Sequence, residues 1–233
     1  MNLNIERIES WLVDIPTIRP HKLSMATMGC QTLTLVRITC ADGLIGWGEA
    51  TTIGGLSYGP ESPEGIKSAI DNYLAPLLSG KSFHGLAPMV ALMNAHVRGN
   101  SFAKSALETA FLDAQGKGLG LPVSTLLGGA LSDSLPVLWT LASGDTQKDI
   151  AEGQRLLAEA RHNAFKLKIG ARTLAEDLRH TQAIKQALGR KSVSASTSIK
   201  PGTPSLRCAA WRRCRRSASI WLNNRWRYGT KRH

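Results

Sequence analysis

Strand-like and helix-like stretches alternate from residue 135 to residue 188, and this order constrains the fold more than any other feature of the chain. Leu135-Pro-Val-Leu-Trp-Thr-Leu-Ala reads as a strand, and Thr146 to Asn163 as an amphipathic helix. Ala164-Phe-Lys-Leu-Lys-Ile-Gly is strand-like again, and Thr173 to Leu188 is helical, with Glu176 in an acidic first turn. Parallel neighbouring strands need a crossover connection, so strand, helix, strand, helix predicts βαβ units. Such units open a (β/α) barrel. A full barrel takes roughly 250 residues, and the 233 residues here must also supply what precedes residue 127.

The earlier residues follow a different order. Residues 4–15 alternate in part, Gln31 to Thr39 alternates well, and Ile45-Gly-Trp-Gly-Glu-Ala reads as the next strand. Asp42-Gly43 between the last two is a hairpin signal, because glycine accepts the positive φ that tight turns need. A three-stranded antiparallel sheet is expected. Three helical stretches follow. The first starts at Pro63-Glu64 and carries Ile66, Ile70, Leu74 and Leu77 on one side; the second covers about 86–97. The third is capped by Ser101, buries Ala106, Leu107, Ala110, Phe111 and Ala114, and ends in Gly116 to Gly120. Strands and then a run of helices describe an α+β domain over residues 1–126.

Charge divides the chain at a different place. The formal net charge is +12, which by itself suggests a polyanionic partner. Residues 1–189, however, hold 17 basic and 17 acidic side chains, and the remaining 12 basic residues fall in 190–233, which has no acid. Trp211, Trp221 and Trp226 stand among those arginines, a composition that also suits a single-strand nucleic-acid platform. The polar, acid-containing start has no signal-peptide h-region, and no apolar run approaches the roughly 18 residues of a membrane span. Cys30, Cys40, Cys208 and Cys214 form no C-x-x-C pair. A cytoplasmic protein with incidental thiols is expected.

The chemistry-bearing segment is Phe165-Lys166-Leu167-Lys168-Ile169-Gly170. Side chains alternate along a strand, so Lys166 and Lys168 share a face. In a barrel that face is the interior, where two neighbouring ammonium groups disfavour each other's protonation and one can shuttle a proton near neutral pH. On a solvated edge strand the same pattern would be two surface lysines, and the local residues leave both readings open.

Residues 1–189 resemble the muconate cycloisomerases of the enolase superfamily. The matching stretches are Ile15-Pro-Thr-Ile-Arg-Pro-His-Lys, Gly48-Glu-Ala-Thr-Thr-Ile-Gly-Gly-Leu-Ser-Tyr-Gly, Trp139-Thr-Leu-Ala-Ser-Gly-Asp-Thr and the lysine strand itself. The resemblance implies an α+β N-terminal capping domain (1–126) followed by the first βα units of an incomplete (β/α) barrel (127–193). It implies a small dicarboxylate substrate, cis,cis-muconate, whose cyclisation to muconolactone leaves an enolate-like intermediate held by Mn²⁺ or Mg²⁺. It further implies that Lys168 is the acid/base and Lys166 its electrostatic neighbour. Capping-domain loops around His21–Lys22 and Thr52–Tyr58 would cover the substrate, with Ile53 and Tyr58 as contacts. Tyr58 favours muconate over the chlorinated muconates of chloromuconate cycloisomerases, the neighbouring alternative. For His21, Lys22 and Ile53, ordinary loop packing or a solvated charge serves equally well. A homo-oligomer is implied, and neither a nucleic acid nor a membrane as partner.

By the same resemblance, Val193 should be followed by Arg-Val-Asp-Val-Asn-Gln-Ala-Trp-Asp, whose first Asp is a metal ligand. The chain instead reads Ser194-Ala-Ser-Thr-Ser-Ile-Lys-Pro-Gly-Thr203. Reading its codons from one base earlier permits every residue of the expected motif, the Asp slot straddling Ser196 and Thr197. Downstream, the slot straddling Leu222 and Asn223 permits the Glu of a second ligand, 26 positions on. That interval is close to the roughly 30 residues of one βαβ unit. Residues 194–233 are therefore expected to be an out-of-frame, disordered tail, whether from a frameshift in the gene or an error in the sequence. The chain as written would then hold no metal ligand and show no activity.

Overall fold

The computed structural model describes residues 1–22, 27–57, 59–169, 172–189 and 193–197. They divide into two compact units, Met1–Leu131 and the residues from Ser132 onward.

In the first unit β1 (Leu3–Lys22), β2 (Thr27–Cys40) and β3 (Ile45–Thr51) form the expected antiparallel meander, and Gly43, at φ +84°, makes the turn between the last two. A fourth strand joins it. β4 (Ser82–Phe83) pairs Leu3 with Phe83, giving the order β3-β2-β1-β4. Two residues in a loop between helices carry no period, so this strand left no trace in the sequence.

α1 (Pro63–Ala69) is capped by Ser62, whose hydroxyl accepts from Gly65 N at 3.2 Å. A π-helical turn, Ile70–Leu74, then leads into α2 (Ala75–Leu78). Ile66, Ile70 and Leu74 are buried as expected, but Leu78 fills the last position in place of Leu77. Four-residue steps drift about 40° per step around a helix of 3.6 residues per turn. The wider π turn takes up that drift and keeps an i, i+4 row on one face.

α3 (Leu86–His96) precedes α4 (Ser101–Leu119), on which the burial of Ala106, Leu107, Ala110, Phe111 and Ala114 is complete. Ser101 is not its cap: it is the first helical residue, and Asn100 precedes it in the left-handed region at φ 52°. The helix ends within the expected Gly116 to Gly120 stretch, at its last glycine: it runs to Leu119, and Gly120 caps it at φ +65°. Gly116 is small because a Cβ there would lie 2.7 Å from the Leu121 carbonyl oxygen. The short α5 (Val123–Leu126) follows.

α4 lies directly on β3. A Cβ on Gly48 would sit 1.9 Å from the Ala106 carbonyl oxygen, and one on Gly46 2.0 Å from that of Ala110. Small residues thus face each other across the contact, and β3 turns Trp47 and Ile45 outward. α4 also serves the backbone of β3. The Trp47 N–H donates to Asp113 Oδ2 at 2.8 Å, and Lys117 Nζ to the Ile45 carbonyl at 3.1 Å. Side chains thereby satisfy polar groups that an edge strand would otherwise leave open.

The second unit alternates strand and helix: β5 (Leu138–Leu141), α6 (Thr146–Ala158), β6 (Ala164–Ile169), α7 (Leu174–Leu188) and β7 (Val193–Thr197). The three strands are parallel in the order β5-β6-β7, as two successive βαβ units require. β5 is shorter than expected, four residues against 135–142, because only 138–141 find partners on β6. α6 stops five residues before Asn163: Ala160 turns left-handed at φ 52°, and Arg161 N donates back to the Leu156 carbonyl at 3.1 Å. α7 starts on a capping box, Thr173 with Glu176, which holds the Glu176 carboxyl below its usual range. Leu141, Leu156, Phe165, Leu167, Ile184 and Leu188 form the core, and Gly153 lets α6 meet Leu188.

One expectation about the tail is corrected. Residues 194–197, expected to be disordered, form a strand with Val193, paired in register from Phe165↔Val193 to Ile169↔Thr197. Parallel pairing is made by backbone N–H and carbonyl groups, which these residues supply whatever their side chains. The tail beyond 197 lies outside the described residues.

Candidate functional site

β6 places Phe165 and Leu167 in the core, fully buried against α6 and α7, and leaves Lys166 half-buried on the other face. Period-two alternation makes this division, and it disfavours the reading of a solvated edge strand, since β6 is the central strand of its sheet. Lys168 stands two residues on, paired with Ser196 of β7. Tyr58 and the side chains of His21, Lys22 and Lys168 lie outside the described residues. His21 and Lys22 close β1, opposite Met28 and Thr27.

Ile53 lies in the turn after β3 and is 50% exposed. Sequence reasoning missed what holds that turn. Gln31 Nε2 donates to the Thr52 carbonyl at 2.7 Å and to the Thr51 hydroxyl, which itself donates to the Thr32 carbonyl at 2.8 Å. One amide side chain on β2 thus fixes the exit of β3 and the backbone leading to Ile53. A lone Gln at a strand position has no sequence signal for such a role.

A second set of polar residues surrounds the ends of β5 and β6. Asp145 caps α6, its carboxylate accepting from Lys148 N at 2.9 Å, and this bond above all lowers its pKa. Asp149 accepts from the Ser143 N–H at 3.0 Å, and Thr146 Oγ1 is 2.8 Å from His180 Nδ1. His180 is 5% exposed, and its pKa is lowered. Burial is the main cause and the Arg172 guanidinium the next, together outweighing the carboxylates of Asp149, Asp177 and Asp145.

A pH dependence follows. An unfolded His takes up its proton near pH 6.5, whereas folded His180 resists it, so the unfolded chain binds more protons on acidification. The contribution of His180 to stability is complete above that pH and is lost as pH falls through its own lowered pKa. The unfolding midpoint of the second unit is expected to drop between pH 7.5 and 5.5, and His180→Gln to flatten the change. An equal slope in wild type and His180→Gln would contradict this assignment.

The donor set beside the lysine strand bears on a divalent metal. Mn²⁺ and Mg²⁺ favour carboxylate and other hard oxygen ligands. The positions of β7 next to Lys168 and Ile169 are Ser196 and Thr197, not acids. Among the described residues no three His, Cys, Asp or Glu side chains are grouped to hold an ion. The residues present do not fit that group.

An α+β domain followed by parallel βα units bearing a Lys-x-Lys strand defines a member of the enolase superfamily. The N-terminal domain of the mandelate racemase / muconate lactonizing enzyme family matches residues 7–128, and the chain belongs to that family. A muconate cycloisomerase of Pseudomonas putida is 60% identical over 187 residues, 79% of this chain and 50% of that protein. The crystal structure of a muconate lactonizing enzyme from Pseudomonas fluorescens complexed with muconolactone is 55% identical. It superposes with a TM-score of 0.83, over 90% of this chain and 57% of the other. A chloromuconate cycloisomerase of Cupriavidus necator is more distant, 43% identical over 209 residues, 90% of this chain and 56% of that protein. The chain spans about half the length of the curated relatives it matches. No helix among the described residues is long and apolar enough to cross a membrane.

Proposed function

We propose that this chain carries the capping domain and the acid/base strand of a muconate cycloisomerase, a cytoplasmic isomerase interconverting cis,cis-muconate and muconolactone. The observation that supports it most is the central strand β6, whose alternation buries Phe165 and Leu167 and sets Lys166 apart from them. The greater identity to muconate than to chloromuconate cycloisomerases supports the substrate.

In this reading one substrate carboxylate oxygen adds across a double bond, and the Lys168 ammonium delivers a proton to the carbon beside the other carboxylate. In reverse, the neutral amine removes that proton. Lys166, as a nearby cation, eases the loss of the proton from Lys168. His21, Lys22, Ile53 and Tyr58 are the proposed contacts from the capping domain, and Gln31 holds the backbone that presents Ile53. Mn²⁺ or Mg²⁺ would stabilise enolate charge in an enzyme that has the ligands; in this chain the donor set does not fit, and no step is drawn through it. We infer that the ligands are lost to a change of reading frame near residue 194. β7 supports this, because its first residues keep the register of a barrel strand while lacking an acid. The intact enzyme is proposed to be a homo-oligomer that needs neither nucleic acid nor membrane.

The test is genetic and kinetic. The purified 233-residue chain is expected to leave cis,cis-muconate unchanged, followed by its ultraviolet absorbance. A one-base correction between codons 190 and 198 is expected to restore turnover. In that corrected protein Lys168→Ala should lower kcat by about 10²–10⁴-fold, the usual range for a lost general acid. Turnover by the uncorrected chain would refute the frame reading, and full activity of Lys168→Ala would refute the assignment of the lysine.

A further inference from the structure

The polar residues between α6 and α7 serve no step of the proposed reaction, yet they occupy costly positions. Asp149 is 1% exposed, Asp177 6% and His180 5%. Buried ionic groups are often no better for stability than apolar residues of similar volume, so their arrangement calls for a second reason. All lie where the chain leaves β5 and β6 and enters the following helices, the end of a (β/α) unit at which barrel sites are built.

Some of the interactions brace one connection within itself, and others tie it to the next. Asp149 Oδ1 accepts from Ser143 N, closing the β5–α6 turn on itself. Its Oδ2 faces His180 Nε2 at 3.5 Å, and His180 Nδ1 meets Thr146 at 2.8 Å. With the ring neutral and protonated on Nε2, the Thr146 hydroxyl donates to Nδ1, and Nε2–H faces Asp149 Oδ2 without reaching hydrogen-bond geometry. From the β6–α7 connection Arg172 donates to the Gly144 carbonyl and pairs with Asp177 at 3.5 Å. Its guanidinium fork thus spans a backbone oxygen of one connection and a carboxylate of the other helix.

We propose that Arg172, Asp149 and His180 are positioning residues that clamp the β5–α6 turn to the start of α7, holding the mouth beyond the Lys166–Lys168 strand in shape for a dicarboxylate. This rests on the cycloisomerase reading for its ligand but not for its geometry. None of the three is among the residues proposed above to contact the substrate.

Peptide-resolved hydrogen exchange on the full chain tests it without any need for activity. Asp149→Leu is expected to speed exchange at 143–146 about tenfold while β6 and the body of α7 keep their rates, because the apolar side chain preserves packing but accepts no bond. Asp149→Asn should restore most protection, its amide oxygen still accepting from Ser143 and the His180 ring adapting by changing tautomer. Arg172→Lys, at a partly exposed side chain, keeps the charge but not the fork and should also loosen 143–146. Unchanged rates in both Asp149→Leu and Arg172→Lys would overturn the proposal. So would uniform loosening of β6, α6 and α7, the mark of a merely structural role. Failure of the cycloisomerase reading shows separately, as absent muconate turnover in the corrected protein.

Discussion

Gly48→Ala is expected to unfold the first unit at temperatures where the wild type is stable. The added Cβ would lie 1.9 Å from the Ala106 carbonyl oxygen, so the obstacle is helix backbone and not the movable end of a side chain. α4 must lift from β3 to accommodate it. That displacement opens the contacts of Ala106 and Ala110 and strains the bonds from Asp113 and Lys117 to the strand. Overpacking a core costs about 1–3 kcal/mol, occasionally more, and a rigid backbone obstacle belongs at the upper end. A loss of about 3 kcal/mol is a large share of the 5–15 kcal/mol that holds a typical domain together. Thermal and urea melts followed by circular dichroism would measure it. A loss under about 0.5 kcal/mol, the scale of neutral surface substitutions, would show that the helix–sheet contact is not so tight.

Phe165→Ala should remove the second unit selectively. Phe165 is fully buried and is the largest of the six side chains in that core, which otherwise holds Leu141, Leu156, Leu167, Ile184 and Leu188. Truncating a buried Phe costs about 3–5 kcal/mol, part from lost transfer free energy and part from the cavity. So few residues cannot close over a cavity of that size. β6 is expected to lose its exchange protection, and with it the arrangement of Lys166 and Lys168, while α4 and the sheet of the first unit keep theirs. The two cores share no residue, which is why the effects should separate. Equal loss of protection in both units would mean that they unfold as one.

Much of the fold is legible in the chain itself. The Lys166–Lys168 strand, the helices on either side of it and the hairpin at Gly43 all depend on spacings of a few residues. Side-chain alternation, helical period and the φ freedom of glycine act at that range. Thr173 and Glu176 announce a helix start for the same reason. The π turn is not legible there, because its signature, a row of i, i+4 apolar residues, also fits an ordinary helix until Leu78 is found buried in place of Leu77. The role of Gln31 and the network of Asp149, His180 and Arg172 are hidden for a different reason. Each joins residues brought together by the docking of whole elements, and hydrogen-bond geometry at that distance leaves no periodic mark in the chain.

The sequence by itself determined the order of the longer elements, the face of β6 that meets the helices, and the point near residue 194 at which the chain departs from the expected Arg-Val-Asp motif. Those are matters of local pattern and of composition. Tertiary structure alone decided that Gly46 and Gly48 are needed for the approach of α4, that residues 194–197 pair with β6, and that Arg172 reaches Gly144. Packing distances and backbone pairing between distant segments settle these points, and both exist only once the chain has folded.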